Sequence, residues 1–186
     1  RILRRLSSLK KVSVLPTFQP STHPPSLLLF VSMSAVAANG VAPPPLSLPA
    51  NAQYYSIDVE CVAVGYDHNA RAVAQISLVN QYEKAVLNLY VLPSVPVVSY
   101  LTPLTGLTRE VLGRNGIPFQ AAIQILKQHL PASAILVGQN IFQDAAWLGL
   151  KDGEDFAQLM DLTGLFRIWN EKYKSYSVFS QDHLAK

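Results

Sequence analysis

The run Tyr54-Tyr55-Ser56-Ile57-Asp58-Val59-Glu60-Cys61-Val62-Ala63-Val64 decides the fold of this chain. It is mostly apolar and rich in β-branched and aromatic residues, which is typical of a central strand in a sheet covered on both faces. Side chains two residues apart in a strand point to the same face, so Asp58 and Glu60 converge, roughly 6.6 Å apart along the strand. Burying two like charges together is costly without a compensating cation. The pair therefore predicts a site for a hard divalent ion such as Mg²⁺ or Mn²⁺.

The alternative interpretation of this acidic pair is a solvated, outward-facing one. Carboxylates are mostly exposed in proteins, and an unselected pair of this spacing is usually a surface feature. The apolar residues on both sides of Asp58 and Glu60 favour the buried strand instead.

The net charge of the whole chain is a poor guide to function, because the positive charge is concentrated in one segment. The 186 residues are 49% hydrophobic, enough for one domain with a real core. The net charge of +3 arises in residues 1–50, which hold five basic residues and no acid; residues 51–186 hold ten basic and twelve acidic residues, about −2. Overall basicity is therefore no argument for nucleic-acid binding. The single cysteine, Cys61, excludes an intramolecular disulfide and is predicted to be a packed thiol in a reducing compartment.

Residues 1–50 differ from the rest of the chain. They are basic and rich in Ser and Pro without a sustained hydrophobic period, which predicts a disordered N-terminal segment. The alternatives are an organellar transit segment and a gene-model artefact in which Met33 is the true start. The apolar run at 26–31 is too short to cross a bilayer, so we expect no membrane interaction.

From Tyr54 onward the hydrophobic pattern predicts an α/β domain. Short connections between the first three strands favour an antiparallel meander, and helices and a further strand follow Pro93. The predicted strands are 54–64, Arg71–Asn80, Lys84–Leu92 and Ala134–Gly138, and the predicted helices are Thr108–Leu112, Pro118–Leu130 and Ile141–Leu150.

The last predicted helix is the one that bears on function. Asn140 is predicted to cap it, and its packing residues are predicted to include Phe142, Ala145, Ala146 and Leu148. Asp144 lies one turn after the cap, near the stripe of Ile141, Ala145 and Leu148 that has the spacing of a buried face, and position alone leaves it able to point inward or outward. Together with the acidic pair on the strand, it is a candidate third carboxylate.

Four motifs in order resemble those of the DEDDh 3′-to-5′ exonucleases, and most closely the RNA exonuclease 4-like branch. The similarity runs from about Tyr54 to Lys186. The matching stretches are Ser56-Ile57-Asp58-Val59-Glu60, Ile76-Ser77-Leu78-Val79-Asn80, Thr105-Gly106-Leu107-Thr108 and Leu136-Val137-Gly138-Gln139-Asn140-Ile141-Phe142-Gln143-Asp144.

The resemblance implies a ribonuclease H-like fold, a mixed sheet of an antiparallel meander plus parallel strands flanked by helices. It also implies hydrolysis from a free 3′ end of single-stranded nucleic acid, with RNA favoured, by a mechanism that uses two Mg²⁺ or Mn²⁺ ions. Carried over by position, the catalytic and metal-binding residues are Asp58, Glu60 and Asp144, and the substrate-binding residues are Leu107, Thr108 and Asn140. Leu107 would wedge against the last bases; a turn glycine with a core leucine is the alternative for that loop.

The resemblance further implies a role in RNA processing in the nucleus or nucleolus, or in an organelle if residues 1–50 are a transit segment.

Several positions depart from the family pattern. Gln139 stands where a histidine is common, Cys61 stands where methionine is usual, and Asp161 matches an aspartate that is more often structural than catalytic. The stretch 180–186 matches the start of the helix before the third motif, so we expect 51–186 to be a partial exonuclease domain, incomplete at the C-terminus and inactive by itself. His183 matches an ordinary helix residue and is not predicted to be the general base.

Two other functions stay open at this point. One is a nucleic-acid-binding or scaffolding domain of the same fold without catalysis, and the other is an α/β domain that binds a small ligand. The chain has no glycine-rich phosphate loop, which argues against the nucleotide-cofactor form of the latter.

Overall fold

The centre of the fold is a meander of three antiparallel strands, as the short connections predict. A computed structural model describes residues 49, 51–163 and 167–178; the predictions for residues 1–48 and for His183 lie outside them. The strands are β1 (Gln53–Ala63), β2 (Arg71–Asn80) and β3 (Ala85–Leu92), with β2 pairing to both neighbours. The described elements from Gln53 onward belong to one compact unit.

Parallel strands extend this meander on both sides. β5 (Ala134–Gly138) pairs with β1, and β6 (Gln158–Asp161) pairs with β5, both in parallel. A two-residue strand, β4 (Ile117–Pro118), lies parallel to β3. Within the described residues the sheet order is β4-β3-β2-β1-β5-β6. The prediction of a mixed sheet with β1 at its centre is confirmed.

Helices follow β3 and β5 in sequence. Their bounds are α1 Thr102–Thr105, α2 Arg109–Asn115, α3 Phe119–His129 and α4 Ile141–Leu148. The turn α1 was not predicted, because four residues carry no helical period. Helix α4 ends two residues before the predicted end because Gly149 adopts a left-handed conformation (φ 63°) that stops the helix.

A separate two-stranded hairpin, β7 (Arg167–Asn170) with β8 (Ser175–Val178), was not predicted either. Trp169 and Tyr176 lie opposite each other across it, with ring centroids 5.1 Å apart in an edge-to-face arrangement. Such cross-strand aromatic pairs stabilise short hairpins.

The two faces of the central strands pack into two apolar clusters. Cluster 1 contains the odd-numbered residues Ile57, Val59 and Cys61 of β1 together with residues of α3 and α4. Cluster 2 contains Val62 and Leu107 with Ala74 and Leu112. Both faces of β1 are therefore covered, as its nearly continuous apolar sequence predicts.

Helix α2 and the turn after it provide a stability prediction. A Cβ at Gly116 would lie 2.5 Å from the Leu112 carbonyl oxygen and 3.1 Å from the Leu92 backbone nitrogen, whereas a Cβ at Gly113 would meet nothing within 4 Å. We expect Gly116→Ala to lower the free energy of unfolding by about 1–3 kcal/mol through overpacking.

The matched control is Gly113→Ala inside α2, which should raise the free energy of unfolding by about 0.5–1 kcal/mol. Urea unfolding of both variants measures the difference. Equal effects of the two substitutions would contradict the close approach of backbone at Gly116.

In the part of the chain that the structure describes, no helix has the length and hydropathy needed to cross a bilayer.

Candidate active site

The acidic pair lies on the face of β1 that carries cluster 2. Asp58 is opposite Ser77 on β2 and Glu60 is opposite Gln75, and Val62 of cluster 2 follows on the same face. Glu60 is 9% exposed, while Asp58 is partly exposed. The structure thus places both carboxylates on one side of a covered strand, rather than on a solvated surface.

A β-bulge adjoins the pair. Glu60 pairs with Gln75 and Cys61 pairs with Val73, so Ala74 of β2 has no partner in this register. A bulge bends the strand and increases its local twist, and it can re-aim side chains next to a site. The sequence carries no signal for it, because Ala74 does not break the apolar pattern.

Asp144 lies at the same edge of β1, although it is 84 residues from Glu60 in sequence. Its Oδ1 accepts a hydrogen bond of 2.9 Å from the Val59 backbone N–H, between the two acids of the pair. This N–H lies beyond the reach of β5, because the pairing of the two strands ends at Ser56 with Val137. The first turn of α4 therefore brings the Asp144 carboxylate to the place where the pairing of β1 with β5 ends, while β2 still pairs with β1 on the other side.

The three acidic residues offer the oxygen donors that hard divalent cations prefer. Their positions along the backbone are adjacent, but no three Asp, Glu, His or Cys side chains among residues 49, 51–163 and 167–178 form a group that could hold one ion. Like charges move apart unless a cation lies between them. The residue types therefore fit a divalent ion, and Asp144 lies at the backbone of the residue between the other two acids.

Cys61 follows the pair and is not a nucleophile at this site. Burial raises the pKa of its thiol to about 12, and the negative charges of Glu60 and Asp144 act in the same direction. The thiol therefore stays protonated at neutral pH.

Leu107 is not positioned to wedge against a nucleotide, which corrects its prediction as a substrate-binding residue. It is 2% exposed and packs in cluster 2 with Val62. The loop fixes it from both sides: the Leu107 N–H donates to Thr105 Oγ1 (3.0 Å), and Thr102 Oγ1 donates to the Leu107 carbonyl (2.6 Å). Leu104 is the exposed leucine of this region, with 77% of its surface accessible.

Thr108 has a structural role that its prediction as a substrate-binding residue did not include. Its hydroxyl accepts the Val111 N–H at 3.2 Å and caps α2. Hydrogen bonding to Thr108 and to its own backbone also lowers the pKa of Glu110 in the first helical turn. Whether Thr108 also contacts a substrate stays a prediction.

Asn140 occupies the predicted cap position of α4 but makes no side-chain cap hydrogen bond. Its backbone is left-handed, with φ 55° and ψ 38°, so the chain turns sharply from β5 into the helix. Its side chain is exposed, and its role toward a substrate stays a prediction. The extended backbone that lets a cap side chain reach back to its helix is absent here, which explains the missing bond.

The packing prediction for α4 is only partly right. Ala145 and Leu148 are buried, but Phe142 is 57% exposed and Ala146 is also exposed. Ile141 is buried, as its spacing with Ala145 and Leu148 predicts, and it packs over the end of β5; a Cβ at Gly138 would lie 2.9 Å from the Ile141 Cδ1. Helix α4 is thus oriented with Ile141 and Asp144 toward the sheet and with Phe142 toward solvent.

Sequence comparison finds relatives among RNA exonucleases. The chain is 34% identical over 98 residues to RNA exonuclease 4 of Kluyveromyces lactis, covering 53% of this chain and 33% of that protein. It is 31% identical over 114 residues to the human apoptosis-enhancing nuclease, covering 61% of this chain and 34% of the relative. It therefore spans about a third of the length of each. No protein-family model matches the chain.

Structure comparison finds the same fold in the exonuclease-containing module of Saccharomyces cerevisiae Pan2, solved in complex with AAGGA RNA. The TM-score is 0.52 at 17% sequence identity, and the match covers 72% of this chain and 25% of that one. This likeness shows the fold alone. The chain is therefore similar in sequence to RNA exonucleases and related nucleases, and it shares the mixed-sheet fold of a structure that contains an RNA exonuclease module.

Proposed function

We propose that the full-length protein is a 3′-to-5′ exonuclease that acts on single-stranded nucleic acid, with RNA as the favoured substrate. The observation that carries the proposal is the hydrogen bond from the Val59 N–H to Asp144 Oδ1, which holds the acid of α4 at the backbone of the residue between Asp58 and Glu60. Carboxylates from two elements, β1 and α4, thus meet at one segment of β1.

The proposed cofactors are two Mg²⁺ or Mn²⁺ ions, held by Asp58, Glu60 and Asp144. Exonucleases of this superfamily generally use divalent metal ions. Such ions activate water and neutralise the charge that develops on the leaving 3′ oxygen. The contribution of this chain is to fix three carboxylates on a rigid strand and the first turn of a helix, with Glu60 nearly buried.

RNA is proposed as the substrate class for two reasons. The relatives named above are an RNA exonuclease and a nuclease, and the Pan2 module that shares the fold was solved with an RNA oligonucleotide. By the same resemblance, we propose a nuclear or nucleolar location for the protein.

The test uses the purified full-length protein and a 5′-labelled single-stranded RNA of about 20 nucleotides. With Mg²⁺ or Mn²⁺ we expect a ladder that shortens from the 3′ end and releases mononucleotides, and chelation should stop it. A circular RNA of the same sequence is the control, because it has no 3′ end. Cleavage of the circle at the same rate would overturn the proposal in favour of an endonuclease.

The second candidate is a nucleic-acid-binding domain of the same fold without catalysis. The observation that favours it is the absence, among the described residues, of a converged group of three potential metal-binding side chains. Retention of the linear RNA in a gel-shift assay, without any shortening in either metal, would support this candidate.

A further inference from the structure

Asn140 is held in an unfavourable backbone conformation at the point where the acidic helix begins. Its φ of 55° lies in the left-handed region, where Asn is tolerated better than most residues but still at a cost. Such conformations persist when the surrounding structure fixes them, and they concentrate at functional sites.

Two side chains at the end of β6 hold this turn. Asp161 Oδ1 accepts the Asn140 N–H at 2.8 Å, and Thr163 Oγ1 accepts the same N–H at 3.1 Å. The Thr163 N–H donates to the same oxygen of Asp161 at 2.9 Å, and the Leu162 N–H donates to the Gly138 carbonyl at 2.8 Å. Three hydrogen bonds thus join the end of β6 to the turn before α4, and the fourth, between Thr163 and Asp161, lies within the end of β6.

The lowered pKa of Asp161 agrees with this arrangement. Burial is the largest single influence and would raise its pKa, but the hydrogen bonds from Thr163 and Asn140 together lower it. Asp161 therefore accepts these bonds as a carboxylate, and charge-assisted hydrogen bonds are stronger than neutral ones.

The same turn sets the position of Asp144. Asn140 immediately precedes α4, and Asp144 lies four residues later, in the first turn of the helix. The contact of the Asp144 carboxylate with the Val59 N–H therefore depends on where the first turn of α4 begins. A shift of about 1 Å in a catalytic group can cost 10²-fold in rate, so the anchoring of this turn has a direct consequence for the site.

We propose that Asp161 and Thr163 are positioning residues: they clamp the left-handed turn at Asn140 to the end of β6 and thereby hold the Asp144 carboxylate against Val59. The effect on catalysis rests on the proposed function. The structural link from Asp161 to the Val59 amide does not, and it can be tested separately.

The structural test is amide hydrogen exchange of the full-length protein, followed residue by residue. Asp144→Ala defines the exchange rate of the Val59 amide without its acceptor. We expect Asp161→Ala to speed exchange of the Val59 amide at least tenfold toward that rate, while the Leu78 amide of β2 keeps its protection. Asp161→Asn retains an acceptor oxygen and should restore most of the protection. Asp152→Ala, at an exposed position, is the matched control.

Unchanged protection of Val59 in Asp161→Ala, with the Asn140 amide exposed, would overturn the proposal. If Asp161→Ala lowers exchange protection throughout the sheet, the Thr163→Val variant tests the clamp in its place, because it removes only one acceptor of the Asn140 N–H. A selective increase in Val59 exchange then supports the clamp, and no change at Val59 refutes it.

The catalytic test measures kcat and KM of the same variants on the single-stranded RNA. Loss of supporting contacts around a metal site typically costs 10–100-fold, so kcat of Asp161→Ala should fall by roughly that factor at constant KM, with recovery in Asp161→Asn. A lower melting temperature of Asp161→Ala with an unchanged kcat per folded molecule would mean that Asp161 has a purely structural role. Absence of activity in the wild type would refute the proposed function, while the exchange result would still decide the clamp.

Discussion

Replacement of Asp58 by Asn in the full-length protein is expected to lower the rate of nucleotide release by about 10²–10³-fold, the range seen when one electrostatic contact of a catalytic site is removed. The substitution preserves the volume and removes the charge. Asp58 shares its face of β1 with Glu60, and the Asp144 contact lies at the residue between them. Loss of one of three carboxylates would weaken binding of the divalent ions that the site is proposed to hold.

The rate is measured on the 5′-labelled RNA in saturating Mg²⁺ or Mn²⁺. Asp152→Asn is the matched control, because Asp152 is exposed and should tolerate the same chemical change. The folded state should survive in Asp58→Asn, since removing one of several like charges relieves repulsion. An unchanged rate in Asp58→Asn would exclude Asp58 from the catalytic machinery.

The second large effect concerns stability. Leu107→Ala is expected to lower the free energy of unfolding by about 2–5 kcal/mol, the range for buried leucines, because it opens a cavity in cluster 2. Leu107 is 2% exposed, and both of its backbone groups are hydrogen-bonded to loop threonines, so the loop cannot simply collapse into the space. If Leu107 were the nucleotide wedge, the same substitution would instead raise KM with little effect on stability.

Leu104→Ala is the control within the same loop region. Leu104 is 77% exposed, and surface substitutions usually change stability by no more than about 0.5 kcal/mol. Urea unfolding measures both variants, and KM for RNA is measured at a temperature where both are folded. A stability loss for Leu107→Ala no larger than that of Leu104→Ala would contradict the packing in cluster 2.

The strands could be predicted well because their signals are local. β2 and β5 have the predicted bounds, β3 begins one residue later than predicted, and β1 is shifted by one residue at each end. Alternation and continuous apolar runs directly reflect which faces are covered. The hairpin β7–β8 escaped prediction because its exposed aromatic residues follow no core pattern.

The site was harder to predict, for a physical reason that Leu107 and Asp144 illustrate. The motif that contains Leu107 does not show whether its leucine points to solvent or into cluster 2, because that direction depends on hydrogen bonds made by Thr102 and Thr105. The spacing of α4 left the direction of Asp144 open, and the rotation of the helix resolved it by burying Ile141 and exposing Phe142.

The sequence by itself determined the mixed sheet, the central position of β1 and the shared face of Asp58 and Glu60, because the two-residue period of a strand is a local property. Tertiary structure alone decided that Asp144 binds the Val59 N–H, and that Asp161 and Thr163 hold the turn before its helix. These contacts join residues 21 to 85 positions apart. They form only because parallel strands end at the same edge of the sheet, which no local pattern of residues encodes.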